Sequence, residues 1–357
     1  MKVVSFSSAA SKLPDDVLAA LRDDIGEWRS SGVSALELPF TGKEFADIAA
    51  SAEHDLRALL DLPESYRVLF LQGGASAQFS LLPMNLLGDK NNCDYVQSGY
   101  WSRRAFEAAS PYCNPRVIAL GSESALPEPS TWDRSPNAAY CHYTTNETVD
   151  GLQFQSYPED VAAPLVADMT ADFLTRPIPV ERFGLIYASA QKNLGAAGLT
   201  IVIVRQELLD RARSGTPAPF DYARQDKSNS RVNTPPTFAV LVAGRMLAWL
   251  REHGGLAAAA ARNKVKSAKL YAAIDESGGF YSCRASPRHR SSISICFRLP
   301  DPALDLTFAE EAQATGLCHL RGHPEVGGLR ASLYNAVAED AVDALVSFMS
   351  DFKRRRG

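Results

Sequence analysis

Between residues 66 and 204 the chain writes one short apolar run after another, most of them separated by segments of helical character. "YRVLFLQGG" ends in glycines, "QFSLLPMNLL" follows with helical spacing, then "CDYVQSG" reads as a strand and "YWSRRAFEAASPY" as a helix. "RVIAL", "NAAYCHY", "APLVADM", "FGLIYAS" and "LTIVIV" continue the series. Runs this short and this apolar suit strands buried on both faces. Their alternation with helices predicts an α/β fold around a mainly parallel sheet.

The flanks differ from this middle. "PDDVLAALRDDIGEWRSS" starts as a helix, with Pro14 followed by acids in the first turn, and "GKEFADIAASAEHDLRALLDL" has helical period. After "NTPPTFAVLVAGRMLAWLREHGG" the rhythm changes: "SSISICFRL", "GLCHLRG" and "GGLRASLYNA" mix with helices expected at 256–275, 307–316 and 338–354. The expected division is an N-terminal segment 1–14 that packs on the small domain, a large domain 15–257 and a small α+β domain 258–357. With 46% hydrophobic residues and a formal net charge of −4, the chain lacks the basic excess that nucleic-acid binding asks for. The closing "FKRRRG" reads as a solvated helix end favourable to the dipole. No apolar stretch suits a signal peptide or a membrane span, and "FAVLVAGRMLAWL" is broken by Arg245. Cys93, Cys113, Cys141, Cys283, Cys296 and Cys318 form no CxxC pair, as expected of reduced thiols in a cytoplasmic protein.

One residue is out of place in such a pattern. Lys192, in "LIYASAQKNLGAAG", stands just after an apolar strand with glycines beside it. The C-terminal edge of a parallel sheet is where folds of this kind bind ligands, although an arbitrary lysine in a turn is more often a surface residue. Three further features bear on it. "LQGGASAQF" runs from strand through glycines into a helix whose free N–H groups suit a phosphate, though it is neither a P-loop nor GxGxxG. Asp168 ends the strand "LVADMT", where a carboxylate serves as a helix cap, a metal ligand or the partner of a pyridine nitrogen. Trp101 opens a helix after a strand and either packs in the core or covers a planar ring. Lysine, aspartate, phosphate cradle and flat aromatic together meet the requirements of pyridoxal 5'-phosphate.

The motifs "TGKEF", "PMNLLGDK", "DYVQSGYW", "HYTTNETVDG", "YASAQKNLGAAGLTIVIVR", "NTPPTFA" and "GGLRASLYNA" follow the order of one family from end to end. The chain resembles the phosphoserine aminotransferase family, class V of the fold-type I pyridoxal phosphate enzymes. The resemblance implies Lys192 as the lysine that binds the cofactor covalently, Asp168 at the pyridine nitrogen and Trp101 on the ring. It implies cofactor contacts from the backbone N–H groups of Ala75 and Ser76 and from the side chains of Thr148 and Gln191. Asn233 and Thr234 would reach the cofactor phosphate from a neighbouring subunit, so a homodimer with composite sites is implied. Ser8, Thr41, His323 and Arg330 match substrate-facing positions, Arg330 pairing with the α-carboxylate. The implied reaction moves an amino group between a small amino acid and a 2-oxo acid, with glutamate and 2-oxoglutarate as the expected pair.

The departures from the family concentrate on one part of the substrate. Where the family reads "HRGKEF" this chain has Phe40 and Thr41, where it reads "GHRxxGGMRAS" Pro324 follows His323, and the early "GPA" has become Ala9–Ala10. The first two changes remove a histidine and two arginines that hold a distal anion. Each charge-assisted hydrogen bond is worth roughly 1.5–3 kcal/mol. Two lost arginines therefore cost on the order of 10² to 10⁴ in discrimination at roughly 1.4 kcal/mol per tenfold. Arg103, Arg104 or Arg231 would have to replace them; otherwise the substrate carries an uncharged or smaller distal group. Two other classes remain open: elimination, replacement or racemisation with the same cofactor, and a non-catalytic scaffold, against which the joint presence of Lys192, Asp168, Trp101 and Arg330 argues. The helical-spaced pair His319 and His323 suits no metal, because Gly322 and the strand context break the spacing.

Overall fold

The computed structural model describes residues 3–159 and 163–357; the first two residues of the expected N-terminal segment lie outside them. From the N-terminus, β1 (Val4–Ser5) is followed by α1 (Asp15–Gly26), α2 (Lys43–Leu60), β2 (Tyr66–Gln72), α3 (Ala75–Leu86), β3 (Asn92–Gln97), α4 (Tyr100–Ala109) and β4 (Asn114–Leu120). Then come β5 (Cys141–Thr144), the short pair β6 (Asn146–Glu147) and β7 (Leu152–Gln153), β8 (Leu165–Asp168), β9 (Leu185–Ser189) and β10 (Leu199–Arg205). The remainder is α5 (Tyr222–Lys227), α6 (Thr237–Glu252), α7 (Gly255–Asp275), β11 (Ser294–Phe297), α8 (Pro302–Ala314), β12 (Leu317–Cys318), β13 (Leu329–Ser332) and α9 (Glu339–Arg356).

Among the described residues seven strands form the large sheet, in the order β2-β10-β9-β8-β5-β3-β4. The sheet is mainly parallel; β10 alone runs antiparallel to its neighbours β2 and β9. Alternation along the strands sends side chains to opposite faces. Val68, Phe70, Ile201 and Ile203 join one apolar cluster with Phe45, Ile48 and Leu56 of α2 and Val240 and Leu247 of α6. Leu69, Leu71, Val202 and Val204 join another with Phe79 and Leu82 of α3 and Ala105 and Ala109 of α4. Each large side chain so buried contributes about 1.5–3 kcal/mol. With both faces covered, only the sheet's edges and strand ends are left to carry polar chemistry.

A third cluster gathers Phe6 with Leu270, Ile295, Phe297, Phe308, Leu329 and Leu345. It lies around the antiparallel pair β11–β13, and β1 pairs with β12 beside it. The N-terminal residues thus cross the molecule to reach the C-terminal third.

Several boundaries differ from the sequence expectation. The strand expected over "NAAYCHY" begins only at Cys141, because Pro136 and Asn137 form a turn before it. The helix expected from 307 begins at Pro302, where Pro takes the first helical position and Asp301 caps Ala303 N. "GLCHLRG" supplies only the two-residue strand β12, since His319 takes a left-handed φ of 64° and turns the chain away. Arg245, which interrupts the apolar run of α6, makes a bidentate pair with the buried Asp24, at 2.8 and 2.7 Å.

Candidate active site

The ends of β2, β3, β5, β8 and β9 open on one edge of the sheet, because β2 runs in the same direction as the parallel strands. Lys192 lies three residues past the end of β9 and is 8% exposed. Its amine has no hydrogen-bond partner among the described residues, which leaves it to solvent or to a ligand. Burial is the main cause that lowers its pKa to about 8; the Asp168 and Glu147 charges raise it and the Arg330 charge lowers it. A glycine close by makes room for the loop: Gly195 takes φ 114°, and a Cβ there would overlap the Val242 side chain of α6. Only glycine lets the lysine loop sit down on that helix.

Asp168 ends β8, buried, with Oδ1 accepting from Thr170 N at 2.9 Å. Burial raises its pKa, against the hydrogen bonds from Thr170 and the nearby Lys192 charge. Behind it His142 Nε2 meets the Tyr187 hydroxyl at 2.9 Å, and burial lowers the histidine pKa to about 3, so its imidazole is neutral.

At the end of β2 the chain turns through Gly73 and Gly74 into α3, which has neither a side-chain cap nor an acid in its first turn. The N–H groups of Ala75 and Ser76 are the unsatisfied donors of that helix end. This turn lies against the lysine loop, since a Cβ on Gly74 would meet Ser189 Oγ at 3.5 Å. Ser189 Oγ in turn donates to Gln191 Oε1.

Trp101 in the first turn of α4 places its ring centroid 6.0 Å from Lys192 Nζ. Its indole N–H donates to Thr148 Oγ1 at 2.9 Å, and the Thr148 carbonyl accepts from Arg330 Nη1 at 3.0 Å. Arg330, on β13 and 9% exposed, also donates through Nη2 to Ser8 Oγ. Pairwise contacts thus link Gln191, Lys192, Trp101, Thr148, Arg330 and Ser8 with Asp168 and the start of α3 at one edge of the sheet, although they come from elements far apart in the chain.

The remaining predicted positions make other contacts. Asn233 and Thr234 are exposed and bound to Gln72 of their own chain, Asn233 Nδ2 donating to Gln72 Oε1 at 2.9 Å and Gln72 Nε2 donating to the Thr234 carbonyl. Thr41 is exposed in the turn before α2, whose apolar side packs on α6. His323 is partly buried and packs on the Tyr100 ring, 4.8 Å between centroids, while His319 turns to Ser5 Oγ. Arg103 and Arg104 are both exposed, with their guanidinium carbons 5.9 and 5.8 Å from the Tyr100 ring centroid; Arg104 Nη1 also donates to the Tyr100 hydroxyl at 3.1 Å. Arg231 lines a separate groove with Arg67 and Asp226.

Three residues near the pocket were not singled out by their sequence context. Tyr100 bridges Trp101 and His323, and Asn193 Oδ1 accepts from Asn335 N at 3.1 Å, tying the lysine loop to the segment after Arg330. Glu147 is fully buried and binds the start of α4. Its position next to Thr148 in "HYTTNETVDG" was the available signal.

A mainly parallel sheet with a buried lysine, a buried aspartate and an indole at its C-terminal edge defines a class of enzyme. The class-V aminotransferase family model matches residues 3–345, and the chain belongs to that family. It is 47% identical over 360 residues to the phosphoserine aminotransferase of Laribacter hongkongensis, with 100% of each chain covered. It is 46% identical over 360 residues to that of Chromobacterium violaceum, covering 100% of this chain and 99% of the relative. Among solved structures, the phosphoserine aminotransferase of Bacillus circulans subsp. alkalophilus superposes with a TM-score of 0.96 at 40% identity, covering 99% of this chain and 98% of that one. The pyridoxal phosphate-bound phosphoserine aminotransferase of Trichomonas vaginalis superposes with a TM-score of 0.94 at 39% identity, covering 98% and 100%. The chain is a transaminase, and its family implies pyridoxal phosphate. The site suits that group on its own chemistry: an amine with no hydrogen-bond partner among the described residues, a buried carboxylate, N–H donors at a helix start for a phosphate and a flat indole. Among the described residues no group of His, Cys, Asp and Glu could hold a metal ion, and no helix is long and apolar enough to cross a membrane.

Proposed function

We propose that the enzyme transfers an amino group between a small amino acid and a 2-oxo acid with pyridoxal phosphate bound at Lys192. Glutamate and 2-oxoglutarate form one pair, by analogy with the family. The observation that carries this reading is the buried Lys192 amine, with no hydrogen-bond partner among the described residues, facing the Trp101 indole.

When bound, pyridoxal phosphate supplies the electron sink that lets the Cα–H bond of an amino acid break. Asp168 would hold a proton at the ring nitrogen, and the N–H groups of Ala75 and Ser76 would bind the phosphate at the start of α3. The Trp101 indole, fixed by Thr148, would exclude water from one side of the ring, and Gln191 would add a side-chain contact. Arg330 and Ser8 bind the substrate α-carboxylate, orienting Cα toward Lys192. Once released from the cofactor, Lys192 Nζ would take the Cα proton as general base and return it to the cofactor carbon as general acid, a role suited to an amine whose pKa burial lowers to about 8 in the cofactor-free protein.

Asn233 and Thr234 are exposed and would complete the phosphate site of a second subunit, so a cytoplasmic homodimer with shared sites belongs to the same reading. So does the division into a segment 1–14, a large domain 15–257 and a small domain 258–357. Sedimentation of the purified protein checks the dimer, for which a monomer at working concentration is the contrary result.

The relatives' names make phosphoserine the first amino acid to try. A specific observation favours a second reading, in which the distal group is uncharged or smaller. Thr41 and Pro324 stand where cations are lost, and Arg103 and Arg104 are both exposed and gathered at the Tyr100 ring. The test mixes the cofactor-loaded protein separately with phosphoserine, glutamate and a panel of small neutral amino acids, following the cofactor's visible absorbance in a single turnover. Loss of the band with phosphoserine and glutamate, and its return with 2-oxoglutarate, identifies an enzyme that has kept the anionic substrate. A response to a neutral amino acid alone identifies the second reading, and no response to any amino donor contradicts transamination.

A further inference from the structure

No role assigned above uses Glu147, although its carboxylate is fully buried beside the pocket. Its Oε2 accepts from Trp101 N at 2.8 Å, and its Oε1 accepts from Ser102 N at 2.9 Å and from Ser98 Oγ at 3.2 Å. Burial raises its pKa, and the bonds from Ser102 and Trp101 oppose that rise. The carboxylate accepts in all three bonds, which fills three of the roughly four lone-pair sites of the ionised form. The bonds also solve a problem at α4: the first N–H groups of a helix have no partner within it, and a carboxylate is favoured at the positive end of the helix dipole. Here the partner comes from another element, β6. The approach is open because residue 99 is glycine, where a Cβ would stand 2.8 Å from both Cγ and Cδ of Glu147.

The next residue continues the connection. The Thr148 hydroxyl takes the Trp101 indole N–H at 2.9 Å, and its carbonyl takes Arg330 Nη1 at 3.0 Å. Two adjacent residues therefore hold Trp101 at both ends, Glu147 at the backbone and Thr148 at the indole. The second of them also holds the arginine that faces the substrate.

We propose that Glu147 is a positioning residue for transamination: by anchoring the first turn of α4 it holds the Trp101 indole over the Lys192 amine. It acts through Trp101 and touches neither substrate nor cofactor; its charge also raises the Lys192 pKa, an effect that Glu147→Asp retains and that kcat compared on the pH-independent plateau leaves out. The inference rests on the proposed role of Trp101, and its test separates the two.

Glu147→Gln keeps the side-chain volume but sets an NH₂ group against one of the donors. In the cofactor-free protein, the emission of Trp101 is obtained as the difference between the parent and Trp101→Phe, then measured again in the Glu147→Gln background. The expected result is a shift of that emission to longer wavelength. In the loaded enzyme the expected loss of kcat is about 10- to 150-fold, the fold-change that corresponds to one charge-assisted hydrogen bond, with KM changed less. The double variant Glu147→Gln/Trp101→Phe should be no slower than Trp101→Phe by more than about twofold, as for residues that act as a unit. If Glu147→Gln does not fold, Glu147→Asp, which withdraws the carboxylate by one methylene, and Gly99→Ala, which presses on it from the other side, must give the same shift of emission. Unchanged Trp101 emission in a folded variant, or kinetic losses that add to those of Trp101→Phe, overturns the proposal. Should Trp101→Phe itself leave catalysis intact, the role given to Trp101 fails, while the emission of the cofactor-free protein still decides whether Glu147 places the indole.

Discussion

Replacing Arg330 by lysine keeps a cation in the pocket but removes the planar fork. In the structure Arg330 already spends Nη1 on the Thr148 carbonyl and Nη2 on Ser8 Oγ, and it is 9% exposed, so solvent cannot replace a lost donor. A lysine ammonium on a shorter reach cannot hold both partners and a substrate carboxylate. Losing one charge-assisted hydrogen bond costs about 1.5–3 kcal/mol, or about 10- to 150-fold in kcat/KM. Both half-reactions should suffer alike, because the amino acid and the oxo acid share the α-carboxylate. The loss should fall mainly on KM. Arg330→Gln adds a second signature, since the Arg330 charge lowers the Lys192 pKa and its removal should move the titration of the lysine in the cofactor-free protein up from about 8. Steady-state kinetics of each half-reaction, with thermal unfolding of the loaded protein as a control, is the assay. A KM within twofold of the parent for both substrates, accompanied only by a lower Tm, would refute the reasoning and make Arg330 a strut between Thr148 and Ser8.

Other outcomes follow from the same geometry. Asp168→Asn removes a charge that raises the Lys192 pKa, so the lysine of the cofactor-free protein should titrate below about 8, as read by the pH dependence of its acylation. Lys192→Ala should fold normally yet show no amino transfer and no covalent cofactor band, checked by circular dichroism and absorbance. Lys266 is buried and donates to the carbonyls of Leu333, Tyr334 and Val337 at 3.1, 2.9 and 3.0 Å. The Tyr334 carbonyl keeps the Val337 N–H, so Lys266→Met orphans the other two and should lower stability by about 2 kcal/mol or more in urea titration, since each buried orphan group costs about 1–3 kcal/mol. Gly195→Ala should lower both soluble yield and Tm, because the residue sits at φ 114° against Val242.

Much of this fold could be read in the residues because its strands are buried on both faces. "YRVLFLQ", "FGLIYAS" and "LTIVIV" are continuous apolar runs bounded by glycine or polar residues, and they form β2, β9 and β10. What such runs do not carry is direction: β10 is antiparallel, a consequence of the short connection from Ser189 through Gly198, and nothing in "LTIVIV" itself reports it. The small strands escaped for another reason. β12 is two residues long, too short for a periodic signal, and it exists because β1 pairs with it from more than 300 residues away. Within the pocket, residue chemistry singled out Lys192, Asp168 and Trp101, and a resemblance supplied Thr148, Ser8 and Arg330. The contact that makes one object of them, with Thr148 holding the indole by its hydroxyl and the arginine by its carbonyl, is a tertiary fact. Glu147 escaped because a carboxylate beside a turn resembles any solvated acid until the fold buries it.

Whether the sheet edge delivers Lys192 to pyridoxal phosphate is decided by reducing the cofactor-loaded protein with borohydride and mapping its peptides by mass. A single pyridoxyl modification on Lys192, abolished in Lys192→Ala, is the expected result. Stoichiometric modification of another lysine, with Lys192 untouched, would contradict it.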